Sequence, residues 1–566
     1  MTALDLSGAS LQGNFPDEIF RLPNLQALYL YGNSKLTGYL PNSNWSSPLR
    51  KLYLSSTNFA GKIPDSIGNL LLLEIVHIEG CSFTGSIPTS IGNLTRATEI
   101  VFVSNHLTGH LPHHVSGLSY LTTLDLSGNS LQGRVPTWLF TLPSLVSLDL
   151  SNNMLNGPIN PFQSPNSLQE VRLQKNEIHG TIPSSIFQLV NLTYLDLTSN
   201  NLSGTVNTQL IILDLKNNSL EGHIHDTFAN ASSLRSLDLN SNKLEGPLPR
   251  SLANCSVLQV VNVGNNMISD RFPCWLGYLP VLKILVLRSN RFYGPLCKSN
   301  STFTFQALQI IDLSHNEFTG FLPRTIFVSM EAMKNVEEME FGPQYIGGFY
   351  YKDSVTVAMK GRDVLLYKIL IIFRAMDFLS NRFNGEIPEV LGNFKSLKVL
   401  NLSHNGLTGN IPVSFGIMTA LESLDLSFNK LHGRIPEQLL GITDLASLNL
   451  SYNRLRGRIP RGSQFNTFDN DSYIGNIHLC GEPLTVTCSN DGLPKAPPSA
   501  STDHEEDETT SWFDWKVAKL GFASGVVIGL SIGYILLSIG RPRWLVKMVE
   551  RDQQKKVRRR RPRDRM

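Results

Sequence analysis

The chain is poor in cysteine, close to neutral overall, and carries only one long apolar run. Six cysteines in 566 residues (Cys81, Cys255, Cys274, Cys297, Cys480 and Cys488) exclude a disulfide-dense scaffold. The formal net charge is +3, and it is unevenly placed. Residues 541–566 hold twelve Lys/Arg against three Asp/Glu, or +9, which leaves 37 against 43, or −6, over residues 1–540. The positive excess belongs to a tail, so no nucleic-acid partner is expected. Nowhere is there a Gly-rich loop with V-A-I-K, an H-R-D or a D-F-G, so the chain is not expected to transfer phosphate itself. The opening MTALDLSGAS has no basic n-region, apolar h-region or cleavage site, and no signal peptide is visible. Met1 stands inside a repeat. An uncapped first coil is unfavourable, so the natural chain is expected to continue upstream.

What is present is one phrase restated. LDLSGNSLQGRVP at 124–136 has near-copies at 4–16, 424–436 and 448–460. The pattern is L-x-x-L-x-L-x-x-N-x-L-x-G-x-I-P. Its first position falls at Leu25, Leu49, Leu73, Ala97, Leu121 and Leu145, then recurs to Leu308, and returns from Phe373 to Leu445. With the incomplete opening coil there are eighteen. In L-x-L both leucines point inward and the residue between them points out, as a short strand requires. A single coil cannot bury its leucines, and stacking makes one continuous core. The Asn column, Asn in fifteen of eighteen coils, is expected to bond backbone groups otherwise buried unpaired. Its exceptions are Ala9, Thr57 and Cys81, which makes Cys81 a buried small residue rather than a reactive thiol. The step from Leu192 to Leu210 is only 18 residues, so that coil is expected to lack its convex portion. These residues resemble the plant-specific class of leucine-rich repeat, in which LxGxIP forms a second short sheet. The expected fold is an α/β repeat solenoid: a superhelix of that class, broken by an island and followed by a single transmembrane helix.

The sequence divides at 1–328 (about fourteen coils), 329–372 (island), 373–462 (four coils), 463–490 (cap), 491–516 (acidic linker), 517–539 (transmembrane helix) and 540–566 (basic tail). The island is rich in Tyr and Phe and contains a strand-like SVTVAM. It is either a packed spacer or a recognition surface, for which Tyr345, Tyr350 and Tyr351 are the candidate contacts. In the cap, Cys480 and Cys488 are expected to pair, which implies an oxidising compartment. A second candidate pair, Cys255 with Cys274, lies out of register by five positions, and Cys297 has no evident partner. Glycosylation triplets at Asn44, Asn93, Asn191, Asn230, Asn300 and Asn470 fit a secreted surface.

Residues 517–539 carry one charge, Lys519, and as a helix would span roughly 34 Å, enough for a bilayer. The +9 tail follows at once, which places it in the cytoplasm and everything before 517 outside. Gly521, Gly525, Gly529 and Gly533 recur every four residues and form one stripe on which a second helix could approach closely.

Together, the 24-residue coils, the island ending DSVTVAMKG, the block of four coils, the YIGNIHLCGEPL lid, the acidic linker, the glycine stripe and the short basic tail resemble the plant receptor-like proteins. These are the kinase-lacking Cf- and Ve-type disease-resistance receptors. That resemblance implies a plasma-membrane protein that recognises an extracellular peptide, protein or glycan. It implies pairing with a leucine-rich-repeat receptor kinase through the glycine stripe. It also implies recruitment of a somatic-embryogenesis-type co-receptor kinase near the last coils. A developmental peptide co-receptor and a tethered inhibitor of a wall-degrading enzyme are the other readings. No cofactor or metal is expected.

Outward strand positions default to Asp and Ser, as in LDLS. Coils two to five depart from this with Tyr29, Tyr53, His77 and Val101, flanked by Tyr31, Glu79 and Val103. Tyr29, Tyr31, Tyr53 and His77 are therefore candidate ligand contacts, against the alternative of repeat drift. Catalysis is the contrary reading. Asp125 with Asp149, and Asp214 with Asp238, fall at a glycosidase-like spacing, but on an open face and as the filler of the repeat. His223 and His225 have no third metal ligand nearby and are expected to be solvent-exposed.

Overall fold

A computed structural model describes residues 1–488, except 44, 164–165, 190, 205–210, 227, 229–232, 298–303, 335–343, 347–353 and 360–361. Met1–Lys495 forms one compact unit. Each L-x-L phrase is a three-residue strand. Eighteen of them, from Ala3–Asp5 to Ser447–Asn449, join in parallel in one sheet. The repeat length sets the register, so Leu28 lies beside Leu52 and Leu124 beside Leu148. The leucines on one side of this sheet enter a single apolar core that runs through every coil. The other side is left facing outward.

The Asn column closes the coils as its chemistry demands. Asn242 donates from Nδ2 to the carbonyls of Leu215 and Leu239, each at 3.0 Å. Its Oδ1 accepts the Leu220 N–H at 3.0 Å. One buried amide thereby satisfies three backbone groups across two coils. Thr57 and Cys81, where Asn is absent, each direct a hydroxyl or thiol to the Leu54 carbonyl. After I-P the chain enters five-residue 3-10 helices such as Asp65–Asn69 and Glu389–Asn393, each with the proline at its N-cap.

The LxG segments build the second set of strands, and this set is not continuous. A nine-stranded ladder ends at Asn201–Ser203, and a separate three-stranded one starts at Glu221–His223. The break falls at the 18-residue coil. The long sheet passes through it undisturbed, with Tyr194–Asp196 paired directly to Ile212–Asp214.

The island leaves and rejoins between adjacent strands, since Ile310–Asp312 pairs with Ala375–Asp377. Its described core is an antiparallel hairpin, Val355–Met359 with Arg362–Leu366. At its base, buried Arg374 donates from Nε to the Ala332 carbonyl at 2.7 Å and from a terminal nitrogen to the Ile371 carbonyl. That guanidinium joins the chain entering the island to the chain leaving it.

The last coil is closed by a lid. Asn476 takes the place of a column Asn, with Oδ1 accepting the Leu455 N–H at 3.0 Å and Nδ2 donating to the Leu450 carbonyl. The strand His478–Cys480 extends the second ladder beside Arg454–Arg458, and Cys480 is disulfide-bonded to Cys488. The other disulfide corrects the pairing weighed for Cys255 with Cys274. Cys274 is bonded to Cys297, 23 residues on, with Cα atoms 5.6 Å apart. A separation close to one period brings equivalent points of neighbouring coils together, which the 19-residue interval does not. Cys255 is a buried thiol inside the core, and burial pushes its pKa up to about 11.

Candidate functional site

The outward face of the long sheet has two regions unlike the Asp–Ser default. In the first, strand register places Tyr29 beside Tyr53, Tyr53 beside His77 and His77 beside Val101. The Tyr29 and Tyr53 rings stack with centroids 5.1 Å apart, and His77 meets Tyr53 edge-on at 4.7 Å. His77 Nε2 lies 3.0 Å from a Glu99 carboxylate oxygen. Burial first, then Glu99 and Tyr29, raise the pKa of the Tyr53 phenol. Tyr31 stands beside this column, 47% exposed. Tyr29, Tyr53 and His77 form a connected aromatic platform.

The second region lies under the island hairpin. Val260, Ile284, Val286, Ile310, Ala375 and Val399 occupy outward positions on the sheet, where a solvent-facing strand would be polar. They form a separate apolar cluster with Val355 and Val357 of the hairpin and with Ile346 and Ile369. The hairpin therefore covers the sheet face. The signal was present in VVNV and ILVL, which break the L-D-L default as visibly as the Tyr–His column does, and in Ile310, two residues before the Asp of IIDL, but it yields a docking surface only when paired with the alternating valines of SVTV. Tyr345 is part of this packing: it forms a backbone bridge with Leu370, next to buried Ile346.

Between hairpin and sheet, on the side toward coil eight, is a cavity of ≈ 530 Å³. Its floor includes Asp196, Asp238 and Asn262, and its roof Ser354, Thr356 and Leu365. Lys216 reaches across it, with Nζ 2.8 Å from Asp214 Oδ2, 3.7 Å from Asp238 Oδ2 and 3.1 Å from Ser354 Oγ. Burial, and then the neighbouring Asp214, push the Asp196 carboxyl up to about 6 and that of Asp238 to about 7. Burial alone would lower Lys216, but Asp214 and Asp238 hold it above its ordinary value.

The carboxylate pairs considered for catalysis do lie side by side, Asp125 with Asp149 and Asp214 with Asp238. Each has a local task, which is to accept the N–H two residues on: Ser127 for Asp125, Ser151 for Asp149, Lys216 for Asp214 and Asn240 for Asp238. His223 and His225 are both exposed. Asn93, Asn191 and Asn470 are exposed, while Asn44, Asn230 and Asn300 lie outside the described residues. So do Tyr350 and Tyr351, the span 517–539 and its Gly521, Gly525, Gly529 and Gly533. Among the described residues no helix is long and apolar enough to cross a membrane.

A third feature had no counterpart in the sequence reading. His404, Phe428 and Tyr452 each precede a column Asn and take left-handed backbone, φ 51 to 54°. Their rings stack at 4.2 and 4.3 Å, and Phe428 and Tyr452 are exposed. Bulky side chains seldom adopt that conformation.

Repeated strands, an Asn ladder, a second LxG sheet and an island roofing the strand face define a leucine-rich-repeat solenoid of the plant type. Leucine-rich-repeat family models match residues 95–155, 380–431 and 395–455, the segments 48–70, 72–94, 209–231, 233–255 and 307–328, and residues 188–205. Receptor-like protein 34 of Arabidopsis thaliana is 50% identical over 278 residues, 49% of this chain and 28% of that protein. Receptor-like protein 9DC3 of Solanum pimpinellifolium is 51% identical over 258 residues, 45% of this chain and 30% of that protein. Among solved structures, a TDR receptor superposes with TM-score 0.63 at 27% identity, covering 77% of this chain and 69% of that one. The Arabidopsis receptor kinase HAESA, in complex with the peptide hormone IDA and the co-receptor SERK1, superposes with TM-score 0.54 at 26% identity, covering 87% and 92%. The chain is a leucine-rich-repeat protein similar to the receptor-like proteins of plants. Its matches span about 30% of the length of these two curated relatives.

Proposed function

We propose that the chain is a single-pass plasma-membrane receptor that recognises an extracellular ligand on its strand face and signals through partner kinases, without catalysis of its own. The observation that carries this reading is the hairpin seated on the long sheet. It converts part of a repetitive open face into a roofed cavity, and the aromatic platform lies on the same sheet some coils away. The bound peptide and co-receptor in the HAESA complex support a peptide or protein ligand and a co-receptor kinase here. The exposed stack of His404, Phe428 and Tyr452 supports docking of that co-receptor on the last coils, because aromatic anchors dominate protein interfaces. The glycine stripe from Gly521 to Gly533 supports standing association with a receptor kinase in the bilayer. The domain order that follows is solenoid, island, four coils, cap, linker, membrane helix and tail.

The test is co-purification from solubilised membranes of plant cells expressing the full chain. Wild type brings down a leucine-rich-repeat receptor kinase. Gly525→Leu with Gly529→Leu loses it while the surface level stays unchanged. Recovery of the same kinase with the double variant would overturn the membrane arm of the proposal.

A further inference from the structure

We infer that the cavity beneath the island hairpin receives an ammonium or guanidinium group on a short alkyl stem, namely a lysine or arginine side chain of a polypeptide ligand. This inference rests on the recognition function proposed above.

The floor of the cavity carries two carboxylates, Asp196 and Asp238, with Asp214 between them on the sheet to form a ladder. Register places Asp196 beside Asp214 and Asp214 beside Asp238. The three are 8%, 2% and 3% exposed. Such carboxyls either keep a proton, as the raised pKa values of Asp196 and Asp238 show, or when ionised need a cation, because an ionised group removed from water is costly unless paired. The chain supplies Lys216, which serves Asp214 and Asp238. Among the described residues the hydrogen bonds to Asp196 come from neutral donors, the Thr198 N–H at 3.0 Å and the Tyr194 hydroxyl at 3.4 Å, while Lys216, which bonds to Asp214, acts on Asp196 only through its charge. Arg288, also on the cavity wall, stands 3.8 Å from Asp312 at the far side of the ladder. Lys175 is exposed at the rim.

The space itself matches such a group. A volume of ≈ 530 Å³ lies within the range of ligand pockets, about 300–1,000 Å³. Lysine and arginine bury their stems along apolar surface while the charged head finds polar partners. Val355, Leu365 and Tyr367 supply that surface from the island side, opposite the carboxylates. Ser354 Oγ already hydrogen-bonds one ammonium there, that of Lys216. An incoming cation beside Asp196 would reproduce, one rung along the ladder, the arrangement that Lys216 makes with Asp214 and Asp238.

The probe is acetyl-arginine methylamide, titrated into the purified full chain in detergent and followed by saturation-transfer NMR. Its citrulline counterpart serves as the neutral isostere. The expected result is saturable binding of the arginine probe, none of the citrulline probe, and at least a tenfold loss in Asp196→Asn and in Asp238→Asn. Asp125→Asn, on the same face outside the cavity, should bind as wild type. These variants keep the fold, because Asn262, Asn401 and Asn449 occupy the same strand position and accept the same N–H. Circular dichroism verifies that. Spermidine binding that is lost in the same variants would support the cation site with a free polyamine as occupant. Equal binding of the citrulline probe, or unchanged arginine binding in both cavity variants, overturns the inference. Loss of this inference with kinase co-purification intact leaves the receptor proposal standing, and the converse result leaves the cation site standing.

Discussion

Val357→Asp isolates the island from the solenoid. Val357 is 3% exposed and belongs to the apolar cluster that joins the hairpin to Val260, Ile284 and Ile310. Losing a buried valine costs about 1.5–3 kcal/mol, and a carboxylate forced into its place adds several more unless the contact opens. A total of about 4 kcal/mol shifts the docked-to-undocked ratio roughly a thousandfold. The lesion should stay local, because solenoid coils draw stability from their neighbours. A detached two-stranded hairpin is at best marginal in water, so its own hydrogen bonds should fail as well. Hydrogen-exchange mass spectrometry reads this directly. Segments 355–366 lose protection, and the strand Ile284–Val286 keeps its slow exchange. The arginine probe should lose its site in parallel. Unchanged exchange over 355–366, or loss of protection throughout the coils, would refute the two-part description of this unit.

The raised carboxyls make stability depend on pH. Folded Asp196 and Asp238 hold protons that the unfolded chain has released, up to about 6 and about 7 against an ordinary 3.8. Their contribution therefore destabilises progressively as pH rises from about 4 to 7, at up to about 1.4 kcal/mol per unit for each group. Chemical unfolding at pH 5 and pH 7.5 should show that slope in wild type and a shallower one in Asp196→Asn with Asp238→Asn. Tyr53→Ala with His77→Ala should lower affinity for the native ligand at least tenfold without changing the thermal midpoint by more than a few degrees, as read by surface plasmon resonance and calorimetry. Phe428→Ala with Tyr452→Ala should abolish ligand-induced co-receptor recruitment in co-immunoprecipitation while ligand binding persists. Retained recruitment would remove that stack from the interface.

The coils were legible because one rule governs all of them. A buried L-x-L pair with a closing Asn every 24 residues leaves a parallel sheet as its outcome, and even the 18-residue step preserved the register between Tyr194 and Ile212. The aromatic platform was legible for the same reason: departure from a strict default stands out. The cavity was harder to see. Its floor is made of the default residue itself, Asp, and becomes unusual only because the hairpin excludes water from Asp196 and Asp238. That depends on contact between residues more than a hundred positions apart, such as Lys216 with Ser354. Cys480 with Cys488 was legible as a pair, whereas the partner of Cys274 was not. Cys274 and Cys297 meet because neighbouring coils superpose equivalent points, while Cys255, closer in sequence to Cys274, is out of register with it. Arg374 carried no visible signal, since a lone arginine after a break reads as surface until its carbonyl partners are known.

Sidedness is the most direct test of the account, because a recognition face and a borrowed kinase need opposite sides of one bilayer. Intact protoplasts expressing the full chain are treated with a membrane-impermeant amine-reactive biotin, and the labelled lysines are mapped by mass spectrometry. The account predicts labelling of the exposed coil lysines Lys243, Lys395 and Lys430, with Lys547, Lys555 and Lys556 labelled only after permeabilisation. Labelling of the tail lysines in intact cells, or coil lysines that stay unlabelled until the membrane is opened, would contradict it.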